Sequence, residues 1–344
     1  MENHEYLKET ILTLLIEVGL DLPTCLRGTL SDITVCLLEN TKAHVARLGE
    51  CLAADGKANA MGGMQRVRRF LSDERIAPSS TVVPLIKLMR PLLESSPEIV
   101  LAIDRTDWAK RGKYVNILSV AFVYSGRAIP LFWIVLDRKG NSSLEHWKQV
   151  LAPAIEGLQQ MEWLSDKPIH VVADREFSSP KLAKWLKNTY NVEATLRIKS
   201  SIYLRHEEEP EVKISTLLGD MKKGDCHILH DQFITRDSNF KMDVMLEWEE
   251  KYKEAMVVAT TILESQRASE LYGLRFCIEP MHKDWKSNAY EIQKTRVTDP
   301  KRIETLLIPI AFAYVLCVLE GEKKKTQETF ELPQKGKHAW SDFS

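Results

Sequence analysis

The chain has 344 residues, of which 44% are apolar and 28% charged, with a formal net charge of −1 at neutral pH. That length holds one large domain or two to three small ones, and that apolar share supports a substantial core, which argues against wholesale disorder. A near-neutral total also excludes a polycation, so any contact with nucleic acid has to come from local clusters of Lys and Arg.

Residues 6–56 repeat apolar positions at helical spacing, punctuated by Pro23 and Gly28, which predicts two or three short helices. The start of the chain lacks the basic stretch of a signal peptide. A small, flexible stretch leads into residues 65–71, a basic helix with Val67, Phe70 and Leu71 as its apolar edge. Basic residues concentrate here: residues 42–69 carry six Lys/Arg against two acids, and residues 181–205 carry six against one. Residues 73–97 form a Pro-punctuated connection that holds a helix at 82–93. The middle of the chain changes character. Residues 98–103 are a short apolar run leading to an acid, and 114–124 and 128–136 are β-rich runs joined by Ser125, Gly126 and Arg127, a hairpin signal. A helix at 144–158, a buried strand at 169–173, a helix at 180–188 and a strand at 192–198 follow. The order β-β-β-α-β-α-β implies a mixed sheet with helices on both faces.

Residues 200–262 break that rhythm and read as a mostly β insertion ending in a strand. Within it, His227 and His230 form a weak metal pattern without partners, expected in a surface loop. Residues 265–289 read as one long helix and 300–321 as a last helix with a strong apolar face. Its apolar run falls short of the roughly 20 residues a membrane span needs, so a buried helix is expected. The tail from Lys323 is charged and reads as loose. Six cysteines (Cys25, Cys36, Cys51, Cys226, Cys277, Cys317) show no C-x-x-C pairing. This predicts reduced thiols in a cytosolic protein and argues against a disulfide framework or a zinc ribbon.

Asp104 and Asp174 each follow a short apolar run and are expected at the C-terminal ends of separate strands, where ligand sites gather in α/β sheets. An acid there is costly unless it is solvated or binds a cation. For either alone, a turn or capping aspartate is the plainer reading. Tyr272, Arg275, Glu279 and Lys286 lie on one predicted helix. At about 100° per residue they fall within roughly 60° of arc. A solvated Arg275–Glu279 pair at i,i+4 spacing explains two of them and leaves Tyr272 and Lys286 without a reason.

The spacing Tyr272-x2-Arg275-x3-Glu279-x6-Lys286, within YGLRFCIEPMHKDWKS, resembles the signature of the insertion-sequence family-four transposases, which are DDE transposases. Asp104-x-Thr106 and the Asp174-Arg175-Glu176-Phe177 run resemble that family's first and second catalytic-aspartate motifs. The resemblance extends from about residue 60 to about residue 320. It implies a ribonuclease-H-like mixed α/β sheet flanked by helices, in residues 76–199 and 263–320. It also implies an N-terminal helical DNA-binding region (1–75), a β-rich insertion (200–262) before the last catalytic helix, and a C-terminal tail (321–344).

The activity implied is cleavage at transposon ends and transfer of the 3′ hydroxyl into target DNA. That chemistry calls for two hard divalent cations about 3.5–4 Å apart, held by carboxylates and water. The resemblance assigns Asp104 as the bridging ligand, Asp174 to one Mg²⁺ and Glu279 to the other, with Mn²⁺ as a substitute. Tyr272, Arg275 and Lys286 are then expected on DNA phosphates near the cut. The implied partners are double-stranded DNA (end repeats and target) and a second copy in a synaptic homodimer. No membrane is involved, and the expected location is the bacterial cytoplasm, at the nucleoid. Arg66, Arg68 and Arg69 on the basic helix are expected to grip end DNA, the alternative being a solvated helix face. Lys199 either approaches phosphate or is surface charge on an edge strand. Asp107 reads as a structural cap and Glu176 as a support for Asp174. Some relatives carry a Trp in the last insertion strand for a flipped base; Met256 is the nearest stand-in here, which leaves a hairpin intermediate open. The alternative functions are a nuclease without strand transfer and an inactive, domesticated DNA-binding remnant.

Overall fold

The computed structural model describes residues 2–54, 56, 58–110, 112–207, 209–235 and 238–331. Helices come first: α1 (Glu2–Glu17), α2 (Thr24–Asn40), α3 (Val45–Leu52), α4 (Ala60–Leu71), α5 (Val82–Leu88) and α6 (Arg90–Ser95). Their ends follow local chemistry. Pro23 precedes α2, which stops at Thr41 in the left-handed region (φ 53°) with its N–H bonded to Leu37 O. Asn59 caps α4 by accepting from Gly62 N–H at 2.9 Å. Helices α3 and α4 approach so closely that a Cβ on Gly63 would sit 2.1 Å from Gly49 O, which requires glycine there. The single helix expected over 82–93 is two, because Pro91 cannot donate to the carbonyl four residues back.

The strands follow as β1 (Ile99–Lys110), β2 (Lys113–Tyr124) and β3 (Arg127–Leu136), a meander whose second turn has Ser125 and Gly126 at φ 46° and 77°. Two positive φ values in a two-residue loop match the right-handed twist of the flanking strands. Then come α7 (Leu144–Gln159), β4 (Ile169–Ala173), α8 (Pro180–Tyr190) and β5 (Glu193–Arg197). Residues 200–262 contribute β6 (Tyr203–Arg205), β7 (Val212–Lys213), α9 (Ile214–Gly219), β8 (Cys226–Ile234), β9 (Lys241–Glu247) and β10 (Met256–Thr260). The chain closes with α10 (Ala268–Leu274), α11 (Ile278–Lys283) and α12 (Pro300–Glu331).

One sheet of ten strands runs β3-β2-β1-β4-β5-β10-β9-β8-β6-β7. It is mixed: β1/β4 and β4/β5 are parallel, and the remaining pairs antiparallel. With helices packed on it, this is the ribonuclease-H-like architecture. The strands of residues 200–262 extend the same sheet, joined through Val258↔Arg197. Every residue of β4 is buried, as expected for a central strand covered on both faces. Helix α12 packs on β3, where Trp133 Nε1 donates to Glu304 O at 3.0 Å and Val135 N–H donates to the Glu304 carboxylate at 2.7 Å. By length and composition residues Pro300–Lys325 could cross a membrane, but 67% of the apolar stretch is buried inside the protein, as in a core helix.

Two expectations need correction. Helix α12 continues to Glu331, past Lys323, where a loose tail was expected, and residues 332–344 of that tail lie outside the described residues. Cys36 and Cys51 are joined by a disulfide with Cα atoms 6.0 Å apart, so the six thiols are not all free; Cys25, Cys226, Cys277 and Cys317 are. The turn between α2 and α3 creates this proximity, and the 15-residue separation gave no local signal of it.

Candidate active site

Parallel pairing sets the first two acids side by side. Strands β1 and β4 pair from Ile99↔Ile169 to Ile103↔Ala173, and Asp104 and Asp174 are the next residue on each. Neighbouring strands lie about 4.8 Å apart, so both carboxylates leave the sheet at one point. Beyond it the strands part. β4 stops, and Asp174 caps a 3₁₀ turn (Arg175–Phe177), its Oδ1 accepting from Arg175 N–H at 2.6 Å. β1 continues, with Asp104 paired to Ser119 of β2. Asp104 is therefore inside a strand and not at its end, a correction that follows from the hairpin: β2 keeps supplying backbone partners after β4 has run out.

The third acid lies on the segment 265–289, which is not the uniform helix expected. It runs as a 3₁₀ turn (Ser265–Arg267), α10, a second 3₁₀ turn (Arg275–Cys277), α11 and a π-helical turn (Asp284–Asn288). Pro280 accounts for the second break, since it has no N–H for the carbonyl of residue 276 and its ring crowds that group. Even so, two signature residues bond the strand acids, and a third, Glu279, joins them through Arg275. The Tyr272 hydroxyl donates to Asp174 Oδ1 at 3.3 Å. Arg275 donates from Nη1 to Asp104 Oδ2 at 3.2 Å and from Nη2 to Glu279 Oε1 at 2.6 Å. Lys286, on the π turn, bonds none of the three acids among the described residues; its charge acts on Asp107 and His282.

The electrostatics centre on Asp104. Burial pushes its carboxyl up to about 6; the Arg105 N–H and the Arg275 charge pull against this, while Asp174 and Glu279 push the same way as burial. Arg275 is only 4% exposed, whereas the Glu279 side chain is 57% exposed. Burial opposes the Arg275 charge, but Tyr272, Asp104, Glu279 and Asp174 outweigh it and raise its pKa. The arrangement is one buried cation between two acids, with a third acid beside it. Carboxylate oxygens are the donors that hard divalent cations take, not zinc or copper, but among the described residues Arg275 stands between Asp104 and Glu279 and the three acids do not form a group at ligand spacing.

Side chains behind the acids hold them in place. Glu176 accepts from Arg105 Nε at 3.0 Å and from Ser142 N–H and Oγ at 2.8 and 2.6 Å, tying the turn after Asp174 to β1 and to the start of α7. Asp107 accepts from Arg105 Nη1 at 3.1 Å and from the Tyr114 hydroxyl. Burial pushes the Asp107 carboxyl up, but Tyr114, Arg105 and Lys286 win and hold it below the usual carboxylate range. His282 is buried, with Nε2 2.8 Å from Ser119 Oγ. Burial first, then Lys286 and Arg275, push its pKa down to about 3, so it is a neutral strut between α11 and the partner residue of Asp104.

The three arginines of α4 separate. Arg68 and Arg69 are exposed. Arg66 donates to Thr29 Oγ1 at 3.2 Å and to the Asp32 carboxylate, whose side chain is 7% exposed. Arg66 thus holds α4 to α2 through an acid 34 residues away, while its side chain stays 39% exposed. Arg68 lines a cavity of about 610 Å³ together with Lys113, Lys294, Arg296, Arg302 and Asp299. The sequence reading missed this basic group because its members come from three separate segments. Lys199 is exposed just beyond β5. Its neighbour Arg197 is nearer the acids, with its guanidinium 5.9 Å from the Tyr272 ring and a buried Nε lacking a partner. The alternation of Arg197 and Lys199 was the only sequence signal for it. His230 lies on β8, not in a loop, and bonds Asp243 at 2.7 Å.

Comparison with known proteins gives one family match: the family described as "Transposase DDE domain" matches residues 95–316, a span that takes in all three acids. No curated protein matches the chain. Among solved structures, it is similar to an endonuclease V from Bacillus subtilis, at 8% identity and a TM-score of 0.26, covering 74% of this chain and 98% of that one. So loose an overlay carries no argument.

Proposed function

The chain belongs to the DDE transposase domain family, and on that basis we propose that it cuts DNA at transposon ends and joins the freed 3′ hydroxyl to target DNA at Asp104, Asp174 and Glu279. The observation that carries this reading is that the segment 272–279 joins three acids distant in the chain: the buried Arg275 bonds Asp104 and Glu279, and Tyr272 bonds Asp174. The Tyr272-to-Lys286 spacing supports the narrower placement in insertion-sequence family four.

Asp104 would bridge two Mg²⁺ or Mn²⁺ ions, with Asp174 completing one site and Glu279 the other. Bound there, the ions would stabilise the attacking and leaving oxygens of an in-line displacement. The remaining work falls to the protein's own groups. Glu176, Arg105 and Ser142 hold Asp174 and Asp104 at fixed separation. Arg275, which bonds Asp104 and Glu279 here, carries a two-pronged donor that would suit a phosphate. Lys286, beside Asp107 and His282, would add a second positive charge near the acids. Residues 1–75 would grip end DNA, with Arg68 and Arg69 exposed for it, and the basic cavity that includes Arg296 and Arg302 gives the backbone a second track. Residues 76–199 and 263–320 form the proposed catalytic core, with 200–262 as its insertion, and Lys199 beside it. Synapsis of two ends calls for a homodimer on DNA, working in the bacterial cytoplasm at the nucleoid.

The test is Mg²⁺-dependent cleavage of a linear duplex carrying the element's end repeats, followed by joining of a labelled 3′ end to a plasmid. Cleavage by the parent that vanishes in Asp104→Ala is expected. Equal cleavage by Asp104→Ala would remove the site assignment, and a parent that binds the ends without cutting would point to an inactive DNA-binding remnant.

A further inference from the structure

A second cluster of metal donors lies in the N-terminal helices, away from the catalytic acids. His4 of α1, Glu39 of α2 and Cys51 of α3 each offer one donor atom, all within 4.8 Å of one another. Cys36 of α2 adds a fourth, its sulfur bonded to that of Cys51. His4 Nδ1 lies 3.1 and 3.0 Å from the two Glu39 oxygens. The group lines a cleft of about 390 Å³ that also holds Lys42 and Arg47. Three helices that are separate in sequence thus meet at one set of sulfur, nitrogen and oxygen donors.

Compartments that contain DNA keep thiols reduced. A dithiol reductant supplies two electrons and two protons to the Cys36–Cys51 bond; the S–S bond breaks, two thiols form, and the dithiol leaves as its own disulfide. We propose that the reduced protein then binds one Zn²⁺ through Cys36, Cys51, His4 and Glu39, with the two thiol protons passing to solvent. Two thiolates, an imidazole and a carboxylate complete a tetrahedron and leave no open position, which makes the site structural. Zn–S bonds of about 2.3 Å in tetrahedral geometry put the sulfurs roughly 3.8 Å apart. Cα atoms 6.0 Å apart accommodate this without moving the helices. The donor charges and Zn²⁺ sum to a single negative charge, which Lys42 in the same cleft offsets, Arg47 there being paired with Glu50. Soft thiolates reject Mg²⁺, so this site and the catalytic acids select different ions. The sequence spacing spoke only against a zinc ribbon; the helix packing assembles a different donor set.

Reduced, metal-free full-length protein titrated with Co²⁺ is expected to show thiolate-to-cobalt charge transfer and tetrahedral d–d bands. Zn²⁺ should abolish both and Mg²⁺ should leave them. Cys36→Ser with Cys51→Ser should lose the charge-transfer band. His4→Ala and Glu39→Ala should each weaken zinc binding by roughly tenfold or more, since even outer-shell partners carry that much. In the unmutated protein, Zn²⁺ should slow alkylation of Cys36 and Cys51 and leave the exposed Cys25 and Cys226 reactive. A cobalt complex without sulfur charge transfer, alkylation of Cys36 and Cys51 that zinc does not slow, or a Cys36–Cys51 bond that survives dithiol in the folded protein would each overturn the proposal.

Discussion

Replacing Asp104 by Asn should make the metal-free protein more stable while abolishing cleavage. The Asp104 carboxyl titrates at about 6 in the folded protein against an ordinary value of 3.8, with burial as the main cause. That shift already contains the opposing pull of Arg275. Each unit corresponds to about 1.36 kcal/mol, so ionised Asp104 costs the fold about 3 kcal/mol. The sign follows from linkage. The folded protein holds this proton more tightly than the unfolded chain, so the penalty is absent below about pH 4, grows between 4 and 6, and is complete above 6. The introduced amide can still accept from Arg105 N–H and Arg275, and Arg275 keeps Glu279 as a charged partner. Urea unfolding in chelator should therefore show Asp104→Asn matching the parent near pH 4 and exceeding it by about 3 kcal/mol at pH 8. Added Mg²⁺ should close the gap: at a concentration of 100 Kd it stabilises the parent by about 2.7 kcal/mol and the variant little. An Asp104→Asn protein no more stable than the parent at pH 8 in chelator would refute the claim that these acids are held at an energetic cost until cations bind.

Arg275→Ala should destabilise the metal-free protein by about 3 kcal/mol, because it strands the buried Asp104 carboxylate without its cation while the exposed Glu279 loses little; Mg²⁺ should recover much of that loss in thermal melts, and equal losses with and without Mg²⁺ would contradict the arrangement. Tyr272→Phe keeps the ring packing and removes one hydrogen bond to Asp174, so stability should change by about 1 kcal/mol or less, while cleavage falls if the hydroxyl contacts phosphate, as single-turnover rates would reveal. Arg68→Ala and Arg302→Ala should each lower the slope of log affinity for DNA against log salt by about one. Arg66→Ala should leave that slope unchanged and lower the melting temperature instead, since it leaves the buried Asp32 with Lys8 alone as its cation. Glu176→Gln should reduce cleavage by loosening the Arg105–Ser142 brace, with little effect on DNA affinity in the same salt titration.

Much of this protein was legible along the chain, because the features concerned are local. Alternating and continuous apolar runs marked the meander and the strands before Asp104 and Asp174; Ser125-Gly126 marked its turn; and the spacing of Tyr272, Arg275 and Glu279 marked two residues that bond the strand acids and a third joined to them through Arg275. What the chain alone could not reveal depends on which distant segments become neighbours. Asp104 lies inside a strand because β2 outlasts β4 as a partner. Arg66 is tied to α2 because the buried Asp32 lies within its reach. Arg197 borders the site because Tyr272 packs beside it. Cys36, Cys51, His4 and Glu39 converge only because three short helices fold against one another. A strand or helix expresses the periodicity of its own residues, so it can be read in isolation. A charge or a thiol takes its role from the partner that burial forces on it, and that partner is settled only when the sheet and its helices close.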